Sequence, residues 1–428
     1  MIFTYYWPPA GGVAVQRFLK FSKYLPQFGW EPIIVTVKNG SYPYYDESQL
    51  KEVPASIKVY RTKTFEPFEL YNLLRAKRGK SVPVVAVSGA KRKSVFQRIT
   101  EYIRANFFVP DARKGWVPYA IKQAEEILKG EKIDAIITTG PPHSAHLIGL
   151  YLKRKFGLKW IADFRDPWTT IYYNQVMPRT ASTKAKDQKL EAEVLENADK
   201  VLLISKSLSE EFSVPVPSPA VIYNGFDEED YRQPAIETEG KFTIRYVGNV
   251  LAAENPPGLF RAIKKLLDTN EEFRKYFRFE LTGRVDGLVM DEMRSHGLGP
   301  WIETNGFVSH AKAIQLMKGA NILLLLFLNI EGNKAHMTGK IFEYIATCNP
   351  IIGFGHTSGE ATQLLQEIGR EPLLDYEDEK GATILIEKYF NQWSKDRNRF
   401  QYNNDNYLSL SRRELTKKLA NILNLLAS

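Results

Sequence analysis

The chain has 428 residues, 44% of them hydrophobic and 25% charged, and a formal net charge of +9. That length exceeds one ordinary core and predicts two domains of roughly 200 residues each. The balance excludes a disordered or fibrous chain, the single cysteine (Cys348) excludes an internal disulfide and a cysteine-rich metal site, and no apolar run approaches the roughly 20 residues of a membrane-spanning helix.

Residues 2–6 read as a strand that ends in Trp7-Pro8-Pro9-Ala10-Gly11-Gly12. Val15, Phe18, Leu19, Phe21 and Leu25 then recur at helical spacing, with Gln16, Arg17, Lys20 and Lys23 interleaved as the polar face. Gly29 follows, and 32–37 is the next strand. A strand, a glycine-rich turn, a helix and a strand make the start of a doubly wound α/β domain, although the turn is not a G-x-G-x-x-G fingerprint. Ligands in such sheets lie at the carboxyl ends of the strands, so Gly11 and Gly12 are expected to border a cleft; a purely steric glycine turn is the other reading.

A short strand is expected at 57–60, a helix at 116–128, strands at 133–139, 160–163 and 200–205, and helices at 145–155 and 184–197. The strand at 133–139 ends in Gly140-Pro141-Pro142-His143-Ser144, and the next ends in Phe164-Arg165-Asp166-Pro167-Trp168. His143, Asp163, Arg165 and Asp166 thus fall where strand-end loops gather, placed for chemistry or acceptor binding. Asp163 and Asp166 are not a metal pair on spacing alone, and each could simply cap a helix or pair with Arg165.

A proline- and serine-rich break at 215–219 and a polar stretch at 229–240 place the linker at roughly 215–240, giving domains 1–220 and 221–428. The second half restarts the pattern. A strand at 242–247 leads to Gly248-Asn249, a helix covers 258–267, and a strand at 277–282 ends in Gly283-Arg284. Phe307 and Val308 follow a further extended stretch, and 312–317 is a short helix. The apolar run 322–327 has the length of a buried strand. After a polar loop come Thr338-Gly339-Lys340-Ile341-Phe342-Glu343-Tyr344, a helix to Thr347, the breaker Asn349-Pro350 and another strand. Residues 409–425 form a last helix, which is expected to pack back on the first domain.

Thr338-Gly339 opens its helix with a good capping residue and a glycine that lets a group approach the backbone. Free N–H groups at such a start favour phosphate, and Lys340 adds a full positive charge. Glu343 lies one turn on, on the same side. A lysine beside a carboxylate suits a ligand with both a pyrophosphate and hydroxyls; a surface ion pair is the plainer reading.

Residues 70–100 contain no acid, yet hold Arg75, Lys77, Arg78, Lys80, Lys91, Arg92, Lys93 and Arg98. Such a block favours an anionic surface. Phe96, Ile99, Tyr102, Ile103 and Phe107 stand near helical spacing inside basic flanks, the profile of an interfacial helix; a half-buried helix with a solvated basic face fits the same pattern. The block and helix make residues 70–105 the candidate contact with an anionic membrane. No nucleic-acid motif accompanies the charge, so a nucleic-acid partner is not expected.

Together, Tyr5-Tyr6-Trp7-Pro8-Pro9-Ala10-Gly11-Gly12, Asp163-Phe164-Arg165-Asp166-Pro167-Trp168, Tyr223-Asn224-Gly225-Phe226-Asp227 and Gly339-Lys340-Ile341-Phe342-Glu343-Tyr344 resemble, in order and spacing, glycosyltransferase family 4 of the bacterial cell-surface polysaccharide kind. The resemblance covers essentially the whole chain. It implies the GT-B fold: two Rossmann-like doubly wound domains facing across a cleft, with the C-terminal helix closing back. It further implies a glycosyltransferase whose second domain binds a nucleotide-diphosphate sugar, retains anomeric configuration, and uses neither metal nor cofactor. On that resemblance Glu343 holds the ribose hydroxyls, the Thr338 and Gly339 backbone holds the pyrophosphate with Lys340 beside it, and Gly248 lies on the donor side. Phe307 and Val308 lie near the base. Gly11 and Gly12 approach the phosphate from the first domain, and His143 and Asp163 face the sugar or the acceptor. The acceptor would be a glycan or lipid-linked, and the enzyme cytoplasmic, on the inner membrane face.

Two departures stand out. Family members often carry a second glutamate eight residues before Glu343, where this chain has Ala335, and Glu331 is the nearest substitute. They also often carry an arginine and a lysine after the first strand of the second domain, where this chain has Asn249 and Glu254. Charge for the leaving diphosphate then falls to Lys340 and Arg284. These departures motivate a rival reading, a non-catalytic binder of nucleotide sugar or glycan; a nucleotide-sugar epimerase on the same fold is a third.

Overall fold

The computed structural model describes residues 1–42, 44–66, 95–171, 174, 176–329 and 337–428. The basic residues from Arg75 to Lys93, and also Glu331 and Ala335, lie outside them. The chain divides into two compact units, one of Met1–Tyr223 with Leu415–Ser428 and the other of Asn224–Glu414. Each unit is built on a parallel sheet with α-helices.

In the first unit the strands are β1 (Ile2–Phe3), β2 (Ile33–Val37), β3 (Lys58–Thr62), β4 (Ile136–Gly140), β5 (Trp160–Phe164), β6 (Lys200–Leu203) and β7 (Ala220–Val221), in spatial order β3-β2-β1-β4-β5-β6-β7. The order reverses at β1/β4, the switch point where doubly wound sheets bind ligands. Strands β1, β2, β4 and β5 are buried along their whole length, as parallel strands covered on both faces must be. One face carries Phe3, Val35, Ala162 and Phe164 with Trp116 and Trp160. The other carries Ile2, Ile34, Ile137 and Ile161 with Phe18 and Leu19. Leu415, Leu419, Ala420 and Leu423 of the final helix, Arg412–Ala427, complete that second core. Burying one such leucine contributes about 1.5–3 kcal/mol.

The first helix, Val13–Tyr24, has the expected apolar face, but two residues of the expected polar face are buried as well. Arg17 is fully buried and pairs with Asp163 at 2.6 Å. Its remaining donors reach the carbonyls of Ile222 (2.8 Å) and Tyr223 (3.0 Å). Lys20 pairs with Glu52 at 2.6 Å. Periodicity could not reveal this, because each partner lies far away in sequence.

The second unit repeats the pattern with β8 (Phe242–Val247), β9 (Phe277–Thr282), β10 (Ile302–Asn305), β11 (Ile322–Leu326) and β12 (Ile351–Phe354), in order β10-β9-β8-β11-β12. Its switch point is therefore β8/β11. Helices Pro257–Thr269 and Glu379–Asp396 cover one face, with Leu259, Ile263, Ile386 and Trp393 against Ile244, Phe279 and Leu324. The helices Glu271–Tyr276, Gly287–Ser295, Glu360–Glu367 and Glu379–Asp396 were not expected from the pattern. The linker expectation also needs adjusting, since Ala220–Val221 pairs with β6 as the edge of the first sheet.

Removing one member of a buried ion pair costs about 3–5 kcal/mol, because the other charge is left uncompensated. Arg17→Met is therefore expected to lower the unfolding free energy in urea by about that amount, and Arg17→Met/Asp163→Leu is expected to recover most of it.

Candidate functional site

In the second unit the residues at the carboxyl edge of the sheet converge on Lys340. Its helix, Lys340–Ala346, starts directly behind Thr338 and Gly339. Gly339 is its N-cap residue, with helical dihedrals and no side-chain cap, and the Thr338 hydroxyl before it accepts from the Lys340 amide at 3.4 Å. The Lys340 ammonium donates to the hydroxyl of Tyr246 and lies 4.6 Å from that ring's centre. The Tyr246 hydroxyl in turn donates to the Asn249 carbonyl at 2.8 Å. Tyr246 is fully buried near the end of β8, so the lysine is held on a rigid strand.

Glycine is required where this side chain crosses the strand end. Gly248 has φ +137°, and a Cβ there would stand 2.6 Å from Lys340 Cε. Gly283, at the end of β9, has φ +116°, and a Cβ there would overlap the Gly248 carbonyl. The positive φ disfavours larger residues at both positions, and at Gly283 the close approach of backbone does so as well.

Among the described residues no carboxylate lies at ion-pair distance from Lys340, although Glu254 and Glu343 are near enough to favour its charge. Burial outweighs them and lowers its pKa below the usual lysine range. Burial likewise raises Glu343, against the opposing pull of His310 and Lys340. Glu254 is also raised by burial, while the Leu251 amide, donating to it at 2.8 Å, and Lys340 pull it down. Glu343 is anchored through its backbone, its carbonyl accepting from Tyr231 at 2.9 Å.

The other expected residues of this unit are spread along the same edge. Arg284 is exposed, with its amide donating to Asn249 Oδ1 at 3.2 Å. Phe307 follows β10, two strands from β8, and is 84% exposed; Val308 beside it is half-buried. Tyr246, Gly283 and Tyr231 were not singled out from sequence. All six residues of β8 are buried, so alternation could not mark the tyrosine. Its place directly after a strand, like that of Gly248, was the available signal for Gly283.

In the first unit, Gly11 and Gly12 follow β1. A Cβ at Gly11 would overlap the ring of Tyr44, so this glycine seats a side chain; Gly12, with φ +91°, has open space around it. Asp163 does not face open space: it is fully buried, held by Arg17 and by the Thr139 hydroxyl at 2.8 Å. His143 is 5% exposed and stacks on Trp168 at 5.1 Å, with Nε2 sharing a hydrogen bond with the Pro167 carbonyl at 3.2 Å. Burial pushes its pKa down to about 3, so the ring is neutral at physiological pH. Arg165 donates to the carbonyls of Gly140, Pro141 and Ala14.

Residues 68–230 match the family model of Glycosyltransferase Family 4. No curated protein matches the chain by sequence. Among solved structures, a glycosyltransferase from Rickettsia africae is similar over 99% of this chain and 98% of its own, at 14% identity and TM-score 0.59. The Anabaena protein HepE, in complex with UDP-glucose, aligns over 100% and 97% at 12% identity and TM-score 0.54. The E. coli protein bound with UDP-2-fluoro glucose aligns over 99% and 98% at 12% identity and TM-score 0.55. The chain thus has the fold of GT-B glycosyltransferases, and its residues 68–230 are similar to Glycosyltransferase Family 4.

The depressed lysine can be measured directly. In acetic-anhydride labelling followed by mass spectrometry, Lys340 is expected to titrate below the usual lysine range. Glu254→Gln is expected to lower it further, since it removes a carboxylate that favours the ammonium.

Proposed function

We propose that the chain transfers a sugar from a nucleotide-diphosphate sugar to a glycan or lipid-linked acceptor in cell-envelope polysaccharide synthesis, with retention of configuration and without a metal ion or cofactor. The observation that carries this reading is the Lys340 ammonium. It is half-buried at the switch point of the second sheet, held by a phenol, and no carboxylate among the described residues lies at ion-pair distance from it. Breaking the anomeric bond leaves negative charge on the diphosphate, and a preorganised cation in a partly desolvated site stabilises that charge more than one in water. In this reading Gly248 and the 338–339 backbone let the diphosphate approach, and Glu343 accepts the ribose hydroxyls. Arg284 adds charge from the exposed rim, and Phe307 and Val308 border the base. Gly12 and His143 serve the sugar or acceptor side, His143 as a neutral ring. Asp163 contributes by fixing the strand end through Arg17. The UDP-sugars bound by two proteins of similar fold support a nucleotide-sugar donor.

Lys340→Ala is expected to lower transfer about 10²–10³-fold, and Glu343→Ala to raise the donor KM, both with an unchanged thermal transition. Turnover at the wild-type level in both variants would exclude this site. A second reading, a non-catalytic nucleotide-sugar binder, is favoured by one observation: Glu254 places a carboxylate beside the lysine. A thermal shift with UDP but no donor hydrolysis or transfer would select it.

We further propose a peripheral position on an anionic inner membrane face. No helix among the described residues is long and apolar enough to cross a membrane. Helix Val95–Phe107 instead exposes Ile99 (52%), Tyr102 (47%), Ile103 (43%) and Phe107 (65%) along one stripe, beside the acid-free basic block of 70–100. That combination suits insertion at a headgroup boundary. The protein is expected to float with phosphatidylglycerol vesicles at low salt and to be released by rising salt. Ile103→Asp/Phe107→Asp should weaken flotation, and absence of wild-type binding at low salt would exclude the membrane position.

A further inference from the structure

Two tyrosines at the carboxyl edge of the first sheet are exposed yet firmly held. Tyr44 is 48% and Tyr45 58% exposed, in the loop that follows β2. The loop is clamped to the turn after β1 by backbone bonds from Gly11 N to the Tyr44 carbonyl and from Asp46 N to the Pro9 carbonyl, both 2.9 Å. Ala10 and Tyr45 form an antiparallel bridge between them. Gly11 has no side chain, and the Tyr44 ring occupies the space a Cβ would take. The Tyr45 hydroxyl donates to the Gly40 carbonyl at 3.1 Å. Its ring meets Tyr42 edge-on at 5.3 Å, and Tyr42 packs against Tyr6 at 6.2 Å.

Exposed aromatic rings are usually mobile or isolated and need no explanation. These are neither, because a glycine, two backbone bonds and two further tyrosines fix them in place. A fixed aromatic face with a phenolic hydroxyl at its edge matches one class of ligand well. One face of a pyranose ring carries C–H groups polarised positive by the neighbouring oxygens, which are attracted to the electron-rich ring face. Its hydroxyls bond with phenols in either direction.

We propose that Tyr44 and Tyr45 form a glycan platform on which a pyranose ring of the acceptor stacks. This deepens the reading of the chain as a glycosyltransferase, but concerns a different unit from Lys340. Gly11 then serves the acceptor side by seating Tyr44, instead of approaching the donor phosphate.

The test uses the full chain on a printed array of bacterial and mammalian glycans, with UDP calorimetry on the same preparations. Wild type is expected to bind at least one glycan class. Tyr44→Ala and Tyr45→Ala should weaken it about tenfold or more, a loss of about 1.4 kcal/mol. Tyr44→Phe, which keeps the ring, should stay close to wild type. UDP affinity should not change in any of these variants, and an unchanged thermal transition shows that they are folded. Wild type binding no glycan, or Ala variants binding as wild type does, would overturn the platform. Lys340→Ala separates the two ideas: unchanged UDP affinity there sinks the donor reading and leaves the array result standing.

Discussion

The first unit depends on one guanidinium. Arg17 comes from the first helix and reaches Asp163 on β5 and the Ile222 and Tyr223 carbonyls just beyond β7. A charge this deep is tolerable only with its partners in place. The bond set therefore fixes helix, strand and chain exit as one body. Everything at that sheet's carboxyl edge inherits the constraint: the Thr139 hydroxyl is drawn to Asp163, and the Gly140 carbonyl next to it is taken by Arg165. At this edge the charges of Arg17, Asp163 and Arg165 are therefore spent on structure. What it presents outward at the turn after β1 is open glycine and aromatic rings.

The second unit handles its half-buried cation, Lys340, in the opposite way. Arg17 is matched by a carboxylate and two carbonyls, whereas Lys340 is held by one phenol. Lysine suits that arrangement, since its compact ammonium keeps rotatable donors free after one bond. The two units share a sheet order but not an electrostatic design. One neutralises its charge internally, and the other leaves a positive group at the switch point. That contrast, more than the shared topology, distinguishes the two units.

The strands were the legible part of the fold. In a parallel sheet covered on both faces they become short, largely apolar runs, and 242–247, 277–282 and 322–327 are such runs, the first two followed directly by glycine. The same burial hid Tyr246, because a strand buried on both faces has no alternation to single out one residue. Arg17 was unreadable for a related reason: a charged residue on a helix looks solvated until its partner, 146 positions away, is brought to it. Asp163 was noticed, but for the wrong surroundings, since sequence places it at a strand end without showing which way it is satisfied. Lys340 and Glu343 were legible because both stand in one short stretch. Gly11 was legible as a necessary glycine but not as the seat of Tyr44, which depends on a contact between separate loops.

Glu254 sets the limit on what Lys340 can do. Its carboxylate is held by the Leu251 amide and stabilised by the lysine, while burial favours its neutral form. A diphosphate arriving beside the lysine would compete for the same positive charge. It would also add negative charge next to Glu254, and both effects raise the carboxyl's affinity for a proton. Donor binding in this reading is therefore linked to proton uptake, and the linkage is reciprocal: a more acidic medium that neutralises Glu254 strengthens the diphosphate's hold. A lysine in that position would attract the diphosphate at any ordinary pH. A glutamate makes the attraction conditional, so the residue that departs from the expected pattern is the one that would set donor affinity.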